Sequence, residues 1–520
     1  MSLISFWSVD SNKLNQISTP ILFIFLFIFA LLWLRSKFRR PSLPPGPRGL
    51  PLVGYLPFLS PNLHHNFADL AKVYGSILKL HLGTKLCIVL TSPSSVNEAL
   101  RHQETIFSIR DTTVVALLSS YGGSDIVFTQ DENNWKKLRK IFTRKMLSKS
   151  NLDASYSLRR QEVRKVIKGV FESAGTPIDI GKLGFVAALK SVMAMTWGGS
   201  GGLIGVDGTD LDAKFREAVD EMMVLLATPN LSDLFPVLGR FDLQGVVRKM
   251  KKVMCVFDEI FNSAIEEQRK RGGNGMENRG FLQFLLEIME GEDSSESITE
   301  NNLKALLMDI VIGGTDTTST TVEWAISELI KQPNTMNKVI EELTKVVGLN
   351  QMVEEFHLPK LNFLDAVVKE TLRLHPPLPL LVPRTSSQTT TFGEYTIPKG
   401  STIYFNIWAI QRDPKVWDNP LNFEPERFLN ESSENLYDFT GNRIEFCPFG
   451  SGKKSCAGIP LAKRLLVLIL ASLLHGFEWK LPEGSKFDME EKFGIVTKKL
   501  NPLVTIPTPR LPNLELYNIM

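Results

Sequence analysis

The longest run of apolar positions lies near the start of the chain. No charge falls between Ile17 and Leu34, and Ile21 to Leu34 is wholly apolar. At about 1.5 Å per residue a helix over this run spans roughly 27 Å, enough to cross a bilayer once. Arg35, Lys37, Arg39 and Arg40 follow it, whereas only Lys13, offset by Asp10, precedes it. A positive C-terminal flank keeps the rest of the chain on the cytosolic side. A cleaved signal peptide would carry its positive flank first and a small-residue cleavage site afterwards, the reverse of what stands here. Pro41 to Pro47 then places four prolines in seven residues. It cannot be helical and reads as a stiff, extended hinge. The expected organisation is a tail over 1–16, a membrane anchor over 17–34, a basic and proline-rich hinge over 35–47 and one large domain over 48–520.

Within that domain Ser76 to Thr91 alternates and is rich in β-branched residues around Gly83-Thr84, which predicts a hairpin. A second β-like patch runs from Thr390 to Ile407, interrupted by Gly393 and Pro398-Lys399-Gly400. Most other long segments carry helical spacing. Loops are expected over 198–208, 272–280 and 291–297, none marking a domain boundary. Ser297 and Glu300 form a capping-box pattern, and from there helical spacing persists to Lys331, about 48 Å of helix.

The centre of that helix, Ile312-Gly313-Gly314-Thr315-Asp316-Thr317-Thr318, opposes its own propensity. Two glycines cost about 1 kcal/mol each against alanine, and threonine is also a poor helix former. The flanks are strongly apolar, so the centre is expected to be buried. Glycines there either let a flat ligand approach the backbone, with Asp316 and Thr317 facing it, or permit a close helix crossing while the threonines bond back to carbonyls. The segment alone does not choose between them.

Cys456 stands just before the apolar helix Ile459 to Leu474. A helix N-terminus favours thiolate over thiol, and Lys453 and Lys454 add positive charge. A thiolate so placed can be a metal ligand, a redox thiol or a nucleophile. The chain's four cysteines form no C-x-x-C pair, which argues against structural zinc and against a disulfide framework. Net charge is +3, from 59 basic and 56 acidic residues, which excludes a globally basic nucleic-acid binder. A single thiolate beside a flat apolar site suits haem iron.

The stretch Phe449 to Gly458 resembles the haem-binding loop of the cytochrome P450 family, haem-thiolate monooxygenases. Phe449, Gly452, Lys454, Cys456 and Gly458 match the pattern Phe-x-x-Gly-x-basic-x-Cys-x-Gly, with lysine where arginine is usual. Lysine keeps the charge without the bidentate fork. Four further stretches fall in family order: Trp135 to Arg139 resembles W-x-x-x-R, Gly313 to Thr318 the oxygen-activating helix segment, Glu370 to Arg373 the E-x-x-R pair, and Pro425 to Phe428 the P-E-R-F that closes a charge triad with it. Leu374 to Arg384 and Lys492 to Val496 are similar to plant specialised-metabolism members, which oxidise terpenoids or phenolics.

The resemblance implies a mainly α fold with small β-sheets, a triangular helical body holding haem b between its long central helix and the last strong helix. It implies iron bound by Cys456; Trp135, Arg139, Arg384 and Lys454 on the haem propionates; Phe449, Gly452 and Gly458 around the cofactor; Asp316 and Thr317 as the proton-delivering pair; and Glu370, Arg373 and Arg427 as scaffold. Substrate contacts are expected from Val114, Val115, Leu118 and Tyr121, from Ile310, Gly313 and Gly314, from Leu380, Leu381 and Val382, and from Ile495. No flavin or NADPH domain is present, so electrons would come from an NADPH–cytochrome P450 reductase, with cytochrome b5 a further donor. The basic runs Lys136 to Lys145 and Lys453, Lys454, Lys463 and Arg464 would face the reductase. The implied place is the endoplasmic reticulum membrane, the substrate a small lipophilic molecule, terpenoid first and phenolic or flavonoid second. Two other readings stay open: a reductase-independent isomerase or dehydratase, and a non-catalytic membrane haem protein.

Overall fold

The computed structural model describes residues 42–199, 211–271, 280–291, 297–429 and 437–518. The anchor expected over 17–34 lies outside them. The principal helices are α1 (Leu63–Tyr74), α2 (Glu132–Lys145), α3 (Tyr156–Glu172), α4 (Ile180–Trp197), α5 (Leu211–Ala227), α6 (Val246–Arg271), α7 (Glu300–Lys331), α8 (Asn362–Leu374) and α9 (Ile459–Gly476). Among the described residues α9 is the one helix long and apolar enough to cross a membrane, but 72% of it is buried. It is a core helix.

The expected hairpin forms: β1 (Ile77–Leu82) pairs antiparallel with β2 (Lys85–Leu90), Leu82 opposite Lys85 across Gly83-Thr84. With β3 (Ile109–Arg110), β4 (Arg384–Thr385) and β5 (Thr402–Phe405) they make a five-stranded sheet in the order β1-β2-β5-β4-β3. The second β patch divides: Thr390–Phe392 and Tyr395–Ile397 pair as a small hairpin, and β5 joins the large sheet. The register of β3 on β4 sets Arg110 opposite Arg384, which brings two guanidinium groups to one place.

The long helix is present over the expected length, but its cap is different. Thr299 is the N-cap, and its side chain and that of Asn302 exchange the capping-box bonds, not Ser297 and Glu300. Thr299 has extended backbone geometry, which an N-cap residue needs. α7 crosses α4 closely: a Cβ on Gly184 would come within 3.2 Å of Ser319 Cα.

The hinge is only partly a free spacer. Over 42–47 the chain is laid along the body, with Pro45 O accepting the N–H of Lys79 (2.9 Å), Pro44 O accepting Lys79 Nζ (2.5 Å) and Ser42 O accepting the N–H of Thr396 (2.9 Å). Proline lacks an N–H but keeps its carbonyl, so such a strand binds from one side only.

Candidate functional site

The glycine question at the centre of α7 has a divided answer. A Cβ on Gly314 would meet Val192 Cγ2 of α4 at 3.0 Å, so Gly314 serves the helix crossing. A Cβ on Gly313 would meet nothing within 4 Å. That open side faces an interior cavity of about 340 Å³ lined by α7, α9, the loop before α9 and the turn after α8. Its size is within the range of small-molecule sites.

Cys456 lines this cavity, with its side chain exposed to the open space. Gly458 donates its N–H to Cys456 Sγ at 3.3 Å, and the N–H of Cys456 is fixed to Phe449 O at 3.0 Å. The helix start favours thiolate, but burial outweighs it and pushes the thiol up, against the smaller opposing pull of Gly458, Arg139 and Ile459. A cation at the sulfur is needed to tip it.

Cations crowd the same cavity. Arg110, Arg139, Arg384 and Lys454 all line it, together with Trp135. Arg139 Nη1 donates to Ser455 O (2.9 Å), Arg110 to Val382 O (2.9 Å) and Lys454 O (3.0 Å), and Arg384 to Phe107 O (3.1 Å). These bonds leave Arg110 Nε, Arg384 Nε and Trp135 Nε1 buried without a partner. Burial, with Arg110 close by, pushes the Lys454 ammonium down to about 7. Its Nζ sits 4.4 Å from the centre of the Trp135 ring, so this lysine takes a stacked place, not an arginine fork. Orphaned donors and mutually repelling buried cations fit a ligand that brings carboxylates, and haem carries two. The cavity residues therefore fit haem: Cys456 for the iron, and Arg110, Trp135, Arg139, Arg384 and Lys454 for its acid groups. Arg110 is the member that sequence reasoning missed. A lone arginine in a two-residue strand carries no pattern, and only the pairing with Arg384 reveals it.

Thr317 lines the cavity and donates its hydroxyl to Gly313 O at 2.9 Å, so it faces the ligand space and also bonds back along the helix. Asp316 does not line the cavity, which corrects the expected placement. It is 1% exposed, and its carboxylate lies 2.6 Å from Lys498 Nζ, which also reaches Asp220 of α5 at 3.2 Å. Consecutive helix residues are turned about 100° apart, and here that turn carries Asp316 away from the cavity while Thr317 stays on it. Burial pushes the Asp316 carboxyl up and Lys498 opposes it.

Gly452 is also displaced from the expected role. Its φ is +76°, and a Cβ there would meet Glu104 Oε1 at 2.3 Å. It shapes the loop against Glu104 without lining the cavity, whereas Phe449 and Gly458 do line it.

Of the expected substrate contacts, Ile310, Gly313, Gly314, Leu381, Val382 and Ile495 line the cavity. Val114, Val115, Leu118, Tyr121 and Leu380 do not. Val114 is 38% exposed and Val115 is core. Leu118 packs on the main core, and Tyr121 turns to Asp258 of α6 at 2.9 Å. Leu380 packs with Leu78 and Leu80 of β1, because Leu381 takes a positive φ of 51° and reverses the chain. Gly122 and Gly123, at φ of 77° and 80°, fold the loop back so that Ile126 and Phe128 line the cavity instead. Asp309 Oδ2 accepts the N–H of Ile126 at 2.8 Å and fixes that return. The glycine pair was the signal available in the sequence.

Glu370 and Arg373 of α8 lie behind the cavity, both fully buried. Arg373 donates twice to Glu370 (2.7 and 2.8 Å), and Arg427 Nε donates to the same carboxylate at 3.1 Å. A larger groove of about 830 Å³ opens between Tyr156, Phe356, Asn362 and Arg464, but none of the expected catalytic or cofactor residues lines it.

A cytochrome P450 family model matches residues 44–506. The chain is 36% identical to a flavonoid 3'-monooxygenase of Petunia hybrida, covering 95% of this chain and 98% of that one. It is 34% identical to a ferruginol synthase of Isodon rubescens and 37% identical to a geraniol 8-hydroxylase of Swertia mussotii, each over 93% of this chain and 98% of the relative. A zebrafish cytochrome P450 solved with progesterone superposes with a TM-score of 0.73 at 26% identity, over 86% of this chain and 99% of that chain.

Proposed function

The chain belongs to the cytochrome P450 family of monooxygenases, and from that premise we propose that it is a membrane-anchored enzyme inserting one oxygen atom from dioxygen into a lipophilic plant metabolite, terpenoid in first place. The observation that carries the reading is the single cavity that gathers Cys456, a buried cation cluster and an apolar wall from Ile310, Ile312, Leu226, Leu378 and Ile495. When bound, a thiolate-ligated haem iron supplies dioxygen activation.

The chain's own residues bind, orient and control protons. Arg110 and Arg384 would hold the cofactor's acid groups through donors that the protein leaves unused, with Arg139 beside them. Gly313 keeps the space over the helix open. Thr317 presents a hydroxyl on the cavity face. Asp316, behind it, is held by Lys498, which also touches the partly exposed Asp220. Asp220, Lys498 and Asp316 thus form a chain of charged groups from the partly exposed Asp220 to the back of the helix.

A phenolic substrate is the second reading, and Asp309 favours it. This carboxyl lines the cavity, where burial and the neighbouring Asp125 push it well up, and it is a polar group that an oxygenated substrate can meet. The anchor over 17–34 and the reductase as electron source belong to the same proposal. Part of the basic run is already engaged, Lys136 and Lys453 with Glu132 at 3.2 and 3.4 Å, which leaves the reductase a mixed surface.

One preparation tests the whole reading. Membranes carrying the chain and a plant reductase should keep the protein through carbonate extraction, and should consume NADPH to give a hydroxylated product from a terpene or phenolic library. Turnover without reductase, or release by carbonate, counts against it.

The same assay separates the two helix residues. Thr317→Ala should bind cofactor and substrate, because alanine suits a helix. NADPH use should persist while product per NADPH falls and hydrogen peroxide appears. Asp316→Asn should slow NADPH use and product together, by about 10² or more, the usual weight of a proton-transfer group. Equal product per NADPH in Thr317→Ala and the unaltered chain would leave Thr317 only its bond to Gly313.

A further inference from the structure

Away from the cavity, three histidines converge on one carboxylate. His64 Nε2 lies 2.9 Å and His65 Nε2 3.2 Å from Glu491 Oε2. His375 Nδ1 lies 3.6 Å from the other oxygen, Glu491 Oε1. We propose that His64, His65 and Glu491 form a binding site for a divalent transition metal, zinc in first place, with His375 flanking it. Among the described residues these three are the group whose ligand atoms all lie within 4.8 Å of one another.

The hydrogen bonds leave the cluster unfinished in a way that a cation completes. His65 Nε2 and His375 Nδ1 are buried atoms without a hydrogen bond, close to the same carboxylate. His375 Nε2 lies 2.8 Å from Glu328 Oε1, and its Nδ1 faces Glu491 without a hydrogen bond. Two ring nitrogens without a hydrogen bond beside one carboxylate are positions that a cation can take up. The second nitrogen of a metal-side histidine held by a carboxylate is also the usual outer-shell arrangement of zinc sites.

The ligand set argues for zinc. Two imidazoles and one carboxylate match the nitrogen and oxygen ligands that zinc takes and do not suit calcium or magnesium. Ligand atoms at 2.9 and 3.2 Å need to open by only a few tenths of an ångström around an ion with bonds of about 2.0–2.1 Å. The surroundings are rigid. His64 is fully buried, its ring stacks on Phe493 with centroids 5.4 Å apart, and Trp408 closes the side with its ring 4.3 Å from His65. Buried Arg412, stacked on Trp408, is the one cation facing the carboxylate that opposes the ion.

A metal here would tie the start of α1 to the strand Glu491–Lys492, which leads directly to the cavity residues Ile495 and Val496. The site is independent of the proposed oxidation, and its test does not use turnover.

The experiment takes the full-length, haem-loaded protein with a non-histidine affinity tag, strips it with EDTA, exchanges the buffer and adds zinc sulfate. One zinc per chain should survive gel filtration at micromolar free zinc. Zinc-edge absorption should show nitrogen and oxygen neighbours with imidazole scattering. His65→Gln, at a side chain 40% exposed, should fold, as judged by the reduced carbonyl spectrum, yet bind zinc at least about tenfold more weakly. Glu491→Gln should do the same or worse. No retained zinc, or retention undiminished in His65→Gln, overturns the proposal.

Discussion

Cys456→Ser should abolish the red-shifted Soret band of the reduced carbonyl complex and bring turnover below detection. Cys456 is the described cysteine that faces the cavity. Cys87 and Cys447 are buried elsewhere, with thiols pushed up to about 12 by burial, and Cys255 is on the exposed side of α6. A thiol that burial pushes up is a poor ligand until a cation meets it, and a haem iron would be that cation. Gly458 N–H at 3.3 Å and the Arg139 guanidinium then stabilise the charge on sulfur. A serine hydroxyl holds its proton far more tightly and gives no thiolate electron density to the iron. The replacement is nearly isosteric, so the fold should survive and the spectral loss will report ligation. Cys255→Ser, Cys87→Ala and Cys447→Ala should keep the band. Its retention in Cys456→Ser would sink the assignment of the iron ligand.

The second large effect is expected at Glu370→Gln. Glu370 accepts two bonds from Arg373, one from Arg427 and the backbone N–H of Glu424 at 2.8 Å. Arg373 in turn donates to Gln411 O (2.7 Å), Pro420 O (2.8 Å) and Asn422 O (3.0 Å), and so pins the segment after β5 to α8. Neutralising Glu370 leaves a fully buried guanidinium without its counter-charge. Breaking such a pair from one side costs about 3–5 kcal/mol, against a total stability of about 5–15 kcal/mol. Little haem-loaded protein should accumulate, and what does should melt several degrees lower by differential scanning. An unchanged melting midpoint with a full carbonyl spectrum would show that the network is dispensable.

Spacing made several elements legible. The hairpin around Gly83-Thr84, the length of α7 and the helix after Cys456 follow from local periodicity and turn chemistry, which act over a few residues. The E-x-x-R and P-E-R-F stretches are local too, and the structure brings Glu370, Arg373 and Arg427 into one ion network as the resemblance implied. The cap of α7 was misplaced by two residues because Ser297 and Thr299 offer the same chemistry. Only backbone geometry separates them.

What the sequence alone determined was the family, the class of chemistry and the residues carried by contiguous motifs, since a loop that binds metal beside a helix start must bring its ligands from one stretch of chain. The tertiary structure decided everything that depends on two distant segments meeting. It divided the roles of Gly313 and Gly314, sent Asp316 to Lys498 while Thr317 stayed on the cavity, and replaced the loop up to Tyr121 by Ile126 and Phe128. It also placed Arg110 beside Arg384 and Glu491 among three histidines. A side chain's direction is set by helix phase, strand register and single positive-φ turns. Each of these is fixed by packing against parts of the chain hundreds of residues away, and no local pattern records it.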